Sequence, residues 1–170
     1  MKKVLFIADF FSENLNGGAE NNDSVLIRHL EKQFDVVKVH SNKVGFNQIR
    51  ESDFIIISNF INLSNNIKSY IEQSKKYIIY EHDHKYVSNR DPSVYPNFVA
   101  PDSKKINISF YQNACCVFVL SKICKKVMIK NIPNVNVYNI GCSLWEKETF
   151  KALKTLSTLN KTRDVCILGS

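Results

Sequence analysis

Val4-Leu5-Phe6-Ile7-Ala8, the loop residues Gly17-Gly18-Ala19-Glu20, and the run Ser24-Val25-Leu26-Ile27 that closes at Leu30 decide the fold of this chain. The first is an unbroken apolar block, the pattern of a parallel strand buried on both faces. The last carries one apolar face at helical spacing. The glycines between them free the backbone at a strand-to-helix turn. In parallel α/β sheets such a turn lies on the carboxyl edge, where helix N-terminal N–H groups and the macrodipole favour an anion. Gly17, Gly18 and Glu20 are therefore candidate substrate-binding residues. The alternative reading of the glycines is a tight turn that needs positive φ.

Outward from this unit the pattern repeats. Short apolar blocks predict strands at Val4–Ala8, Val36–His40, Phe54–Ser58, Tyr77–Glu81, Cys115–Leu120, Val135–Asn139 and Asp164–Leu168. Helices are expected at Ala19–Gln33, Phe46–Glu51, Asn65–Ser74, Ser103–Asn113, Ser121–Asn131 and Trp145–Leu159, several opening on Ser or Asn caps. Strand and helix in alternation imply an α/β fold, a doubly wound Rossmann-like parallel sheet flanked by helices on both faces. Residues 1–145 are expected to form that domain, 146–163 a linker helix and connection, and 164–170 the start of a truncated second domain, because Val165-Cys166-Ile167-Leu168 runs into Gly169; the alternative is an ordinary edge strand that closes the first sheet.

With 170 residues, 44% hydrophobic and 23% charged, the chain is large enough to bury a proper core. The apolar stretch after Met1-Lys2-Lys3 stops at Asp9, too soon for a signal peptide, and no stretch approaches the ~20 apolar residues of a membrane span. A cytoplasmic location is expected. The five cysteines include no C-x-x-C pair, so reduced thiols are expected, with Cys115, Cys116 and Cys166 buried as small hydrophobes.

A formal charge of +7 attracts a polyanion. Lys122, Lys125, Lys126 and Lys130 share one short helix, which favours peripheral contact with an anionic membrane or a phosphorylated ligand. No zinc-finger spacing, RNP-like strand or arginine cluster accompanies them, so no nucleic-acid partner is expected. The absence of G-x-x-x-x-G-K-[ST] excludes a P-loop nucleotidase, and the lack of G-x-G-x-x-G after the first strand disfavours a dinucleotide oxidoreductase.

The fourth strand ends in Glu81-His82-Asp83-His84. If the backbone stays extended, His82 and His84 share a face, with Asp83 orienting a neighbouring group. Imidazole there can serve as a general base or as a donor to a sugar hydroxyl or phosphate. A zinc site needs a third protein ligand, and His29 and His40 fall on a helix and a strand, so no metal is expected. The long loop from Lys85 to Asp102 holds Tyr86, Tyr95 and Phe98, which either close over a ligand or anchor the loop to the core. Ser121 reads as a helix N-cap at the ligand edge and a secondary contact.

Taken in order, Gly17-Gly18-Ala19-Glu20, His82-Asp83, Phe118-Val119-Leu120-Ser121 and Tyr138-Asn139-Ile140-Gly141-Cys142 resemble the N-terminal domain of a GT-B fold retaining glycosyltransferase, of the large group that includes sucrose synthases and mannosyltransferases. The resemblance implies a nucleotide-sugar donor, a glycan, lipid or other hydroxyl acceptor, and a role in carbohydrate biosynthesis. It assigns His82 to the transferred sugar near its reacting carbon, as the catalytic residue. Gly17 and Gly18 would admit backbone to the donor diphosphate or the acceptor, and Glu20, Asp83, His84 and Ser121 would contact substrate. No cofactor is implied. The family's E-x7-E glutamates belong to a C-terminal domain, so these residues alone are not expected to transfer sugar. Where the family has Asn-Gly, this chain has Ile140-Gly141. His82→Ala is expected to depress turnover by orders of magnitude with little change in the thermal midpoint. The competing reading is a stand-alone Rossmann-like module that binds a phosphorylated ligand or a protein without catalysis.

Overall fold

The apolar blocks do become strands, and the amphipathic segments between them helices. The computed structural model describes residues 1–159. They run β1 (Lys3–Ala8), α1 (Gly18–Leu30), β2 (Asp35–His40), α2 (Phe46–Glu51), β3 (Phe54–Ile57), α3 (Asn65–Ser74), β4 (Tyr77–Glu81), α4 (Ile108–Gln112), β5 (Cys116–Val119), α5 (Lys122–Asn131), β6 (Val137–Asn139) and α6 (Lys147–Ser157). The six strands form one sheet in the order β2-β1-β3-β4-β5-β6. Every neighbouring pair is parallel, as a strand–helix–strand chain requires. The fold is α/β and doubly wound.

The order reverses once. From β1 the chain goes outward to β2 and then crosses back to β3, so right-handed crossovers put α1 on one face and the later helices on the other. Packing agrees. Ile27 of α1 meets Val4, Phe6, Ala8 and Ile56, while Ile49, Ile71, Phe110 and Met128 of α2 to α5 meet Leu5, Ile57, Ile79 and Val117. The α1 face therefore carries a single helix over its β1 and β3 half. Toward β6 that face thins out, and Tyr138 is 52% exposed. On α6, Phe150, Leu153 and Leu156 are exposed, and no residue of the helix is buried.

Three expectations are corrected. The helix expected over Ser103–Asn113 shrinks to α4, because Asp102–Lys104 form a 3-10 turn, Lys105 bridges Val87, and Asn107 takes a left-handed φ of 56°. Tertiary pairing of the loop outweighs local helix preference there. Cys115 is exposed rather than buried: it sits one residue before β5, its N–H donates to Tyr77 O, and its side chain points away from the core. The aromatics of the long loop do not act together. Tyr86 is fully buried and Tyr95 packs on the core, while Phe98 is half exposed. Asn131 anchors this loop, accepting from Ala100 N and donating through Nδ2 to Phe98 O and Val127 O. The strand and domain start expected within 164–170, and the end of the 146–163 connection, lie outside the described residues.

Candidate functional site

Period-two alternation along β4 sends Tyr77, Ile79 and Glu81 to the α2–α5 face and Ile78 and Tyr80 to the α1 face, with His82 following on the α1 side. The ionisable cluster at the strand's end therefore splits. Glu81 is wholly buried: Oε1 accepts from Lys85 Nζ at 2.9 Å and Asp83 N at 2.8 Å, and Oε2 accepts from the Tyr111 hydroxyl. Burial pushes the Glu81 carboxyl up, but the Lys85 ammonium and these donors overrule it and hold it below its ordinary value. The same surroundings raise the Tyr111 hydroxyl well above its own ordinary value, burial first and the Glu81 charge second. Lys85 Nζ also donates to Asn59 Oδ1 at 3.0 Å. This buried knot fixes where the chain turns after β4, and leaves neither charge free for a substrate.

His82 turns the other way. Its Nε2 lies 3.2 Å from Asp23 Oδ1, and the two side chains are 5% and 1% exposed. A carboxylate oxygen only accepts, so Nε2 is the donor of this hydrogen bond. The Tyr80 ring packs edge-on at 4.7 Å and further fixes the imidazole. Asp23 Oδ2 is buried without a hydrogen-bond partner. Beside it, Asn22 Oδ1 accepts from the Tyr80 hydroxyl at 2.7 Å and from Leu144 N at 3.1 Å, tying α1, β4 and the segment after β6 together. Because removing the imidazole would strand a buried carboxyl group, His82→Ala is not the stability-neutral change that sequence alone suggests.

The backbone does not stay extended beyond His82. His84 has φ 55°, and its Nδ1 pairs with the Tyr86 hydroxyl at 2.7 Å, so the two imidazoles have different partners. Burial, the largest influence, holds the His84 imidazole below its ordinary value. Both rings nonetheless border one open cleft of about 430 Å³, with Asp83, Asn89 and Arg90. Asp83 is 41% exposed at its side chain and 3.8 Å from Arg90 Nη1. A second cleft of about 380 Å³ lies on the α1 side of His82, lined by Gly18, Asn21, Asp83, Leu120 and Trp145. Gly18, His82 and Asp83 thus come together. Ser121 borders neither cleft; it caps α5, accepting from Cys124 N at 3.1 Å, and its neighbour Leu120 reaches the site instead.

The glycine pair works differently from a tight turn. Gly17, the α1 N-cap, has φ −112°, and among the described glycines only Gly141, at 89°, has positive φ. A Cβ at Gly17 would overlap Glu20 Oε2 and lie 3.2 Å from Glu20 Cδ, whereas nothing stands within 4 Å of one at Gly18. The nearly buried Glu20 carboxylate has folded back over the start of its own helix. Asp9 plays a matching part at the β1/β3 reversal, where α/β sheets open a ligand crevice. Its carboxylate accepts from Ile61 N at 2.8 Å, Asn62 N at 3.0 Å and the Ser41 hydroxyl. At that reversal the position suited to a bound anion is filled by the chain's own Asp9 carboxylate.

Sequence reasoning missed Asp23 and Asp9. The signal for Asp23 was its place at i with Ile27 and Leu30 at i+4 and i+7, which puts it on the apolar stripe of α1. Among the described residues, no group of three or more His, Cys, Asp or Glu could hold a metal ion, and no helix is long and apolar enough to cross a membrane.

No family model matches the chain, and no curated protein matches it. Among solved structures it is similar to the Streptococcus pneumonia TIGR4 flavodoxin, at 11% identity over 92% of this chain and 94% of that one, with a TM-score of 0.34. A likeness that distant says nothing about function.

Proposed function

We propose that the chain is the acceptor-side half of a retaining, nucleotide-sugar-dependent glycosyltransferase that transfers a sugar to a hydroxyl of a glycan or lipid. The observation that carries this reading is the His82–Asp23 pair: an imidazole held from behind by a buried carboxyl group, its ring bordering both clefts at the carboxyl edge of the sheet. Its role is to position a sugar hydroxyl with an orientation the protein has already fixed, so that little reorganisation accompanies charge development at the anomeric carbon. Half-exposed Trp145 supplies an aromatic face to the same cleft, against which a sugar ring packs. Asp83 and the first turn of α1 at Gly18 add polar contacts around it. Since the Glu20 carboxylate lies against Gly17, a donor diphosphate approaching Gly17 displaces it, and the better contacts lie at Gly18. No metal has a part in this scheme. On α5, Lys122, Lys126 and Lys130 stand with exposed Ile123 and Ile129, a surface suited to peripheral contact with an anionic membrane that carries a lipid acceptor.

The test is transfer by the protein at its full natural length. Nucleotide sugars and glycan or lipid acceptors are supplied in panels, and mass spectrometry follows both glycosylated product and released nucleoside diphosphate. His82→Gln, whose amide nitrogen reaches about where Nε2 stands and so keeps a donor toward Asp23, is expected to lower kcat by at least about a hundredfold while the protein stays folded. Folded protein that neither transfers nor hydrolyses any donor refutes the proposal in favour of a binding module.

A further inference from the structure

Away from His82, a cavity of about 530 Å³ opens between α3 and the loop after β4. Phe60 is its fully buried floor, and two ammonium groups lie over that ring, Lys68 Nζ at 5.5 Å and Lys85 Nζ at 5.6 Å from its centroid. Lys85 is committed to Glu81. Lys68 is not: the hydrogen bond its ammonium makes is to Asn107 Oδ1, at 3.1 Å. Burial pushes the Lys68 ammonium down and the Asp9 charge draws it back up. The Asp9 carboxylate, however, already accepts from Ser41, Ile61 and Asn62 and makes no ion pair with Lys68. An ammonium has three donors, so a half-buried cation with donors to spare faces this cavity.

Its surroundings suit an oxyanion. Arg90 lines the same cavity and is only loosely engaged by Asp83 at 3.8 Å, leaving its guanidinium fork available. Asn65, in the first turn of α3, and Ser88 add neutral donors, and the positive end of the α3 dipole points the same way. Ile61 and Ile106, both exposed, stand as apolar walls beside these polar groups. Lysine is held by Asn107, which is itself fixed in a left-handed conformation with Nδ2 donating to Lys85 O at 2.9 Å. The cation is thus placed before any ligand arrives.

We propose that this cavity binds the phosphate group of a small molecule, with Lys68 and Arg90 as its cationic contacts, Asn65 and Ser88 as neutral donors, and Ile61 and Ile106 against the organic part. Two cations match the double charge of a phosphate monoester better than the single charge of a carboxylate. Arg90 also borders the cleft at His82, but Lys68, Asn65 and Ser88 do not, and phosphate binding here does not depend on sugar transfer.

The experiment is an amide chemical-shift titration of ¹⁵N-labelled protein with inorganic phosphate at constant ionic strength, with sodium acetate as the carboxylate arm. Phosphate is expected to give saturable shifts at Asn65, Lys68, Ser88 and Arg90, and acetate much weaker ones. Lys68→Gln is expected to weaken phosphate binding by about tenfold or more, the loss of one charge-assisted hydrogen bond. Lys32→Gln, on the exposed turn after α1, is expected to leave it unchanged. Should Lys68→Gln lose its dispersed spectrum, Arg90→Gln at its exposed position gives the same reading. Unsaturated shifts, an unaltered affinity in both cavity variants, equal weakening by Lys32→Gln, or acetate binding as well as phosphate overturns the proposal.

Discussion

Replacing His82 by alanine leaves Asp23 with no partner at all. In the wild type Oδ1 has the imidazole at 3.2 Å and Oδ2 has nothing, with the carboxyl side chain only 1% exposed. Breaking a buried pair from one side typically costs about 3–5 kcal/mol, because the remaining group stays desolvated and unpaired. For a domain of this size each kcal/mol moves the midpoint by roughly 2–4 °C, so a fall of about 6–20 °C is expected. Asp23→Asn should cost far less, since an amide oxygen still accepts from Nε2. In that background His82→Ala should lose at least about 2 kcal/mol of its effect, the coupling a double-mutant cycle measures. Urea unfolding of the four proteins, followed by circular dichroism, gives each value. A His82→Ala protein within about 2 °C of wild type would falsify the reasoning: it would mean that Asp23 reaches solvent or another donor once the ring is gone. It also follows that lost turnover in His82→Ala cannot be assigned to chemistry until its folding is known.

Gly17→Ala should destabilise by about 1–3 kcal/mol, because the new methyl displaces the Glu20 carboxylate, whereas Gly18→Ala, in open space and at a helical position, should be neutral or stabilise by up to about 1 kcal/mol; thermal melts of both variants decide. Acid should weaken the fold through Glu81. Its folded value lies below the ordinary 4.5, so the unfolded chain binds the proton first and stability falls as pH drops below that value. Glu81→Gln should flatten this part of a stability-against-pH curve, and an unchanged slope would count against the buried knot. Asn131→Ala removes three hydrogen bonds to the long loop and its own helix, so a loss of about 2–4 kcal/mol is expected, with faster proteolytic cleavage near Asn97-Phe98 on a gel.

The strands were legible because parallel strands buried on both faces are nearly continuous apolar runs. Tyr77–Glu81 and the helices Phe46–Glu51 and Asn65–Ser74 match residue for residue. What escaped depended on contacts between distant segments. Ser103–Asn113 has helical composition, yet Lys105 is drawn into a bridge with Val87. Glu81 looked like one of a row of ionisable groups, although its alternation with Tyr77 and Ile79 already placed it on the core side. Asp23 lies on the apolar stripe of α1, but that it meets an imidazole there shows only once β4 brings His82 to it. Local pattern reports which way a side chain points, and only the assembled sheet reports what it meets there.

The amide oxygen of Asn22 has one more consequence, for motion. Detaching the stretch around Leu144 and Trp145 breaks the Leu144 hydrogen bond and the solvent-exposed Arg28–Glu146 ion pair, but Asn22 keeps the Tyr80 hydroxyl and is never left bare. Release therefore costs only about 1–2 kcal/mol, so that stretch is open on the order of a tenth of the time. The Leu144 amide should exchange with solvent deuterium far faster than that of Val117 in the central sheet. One side of the Trp145 cleft is thus a door on a loose latch, and a molecule too large for 380 Å³ has a way in.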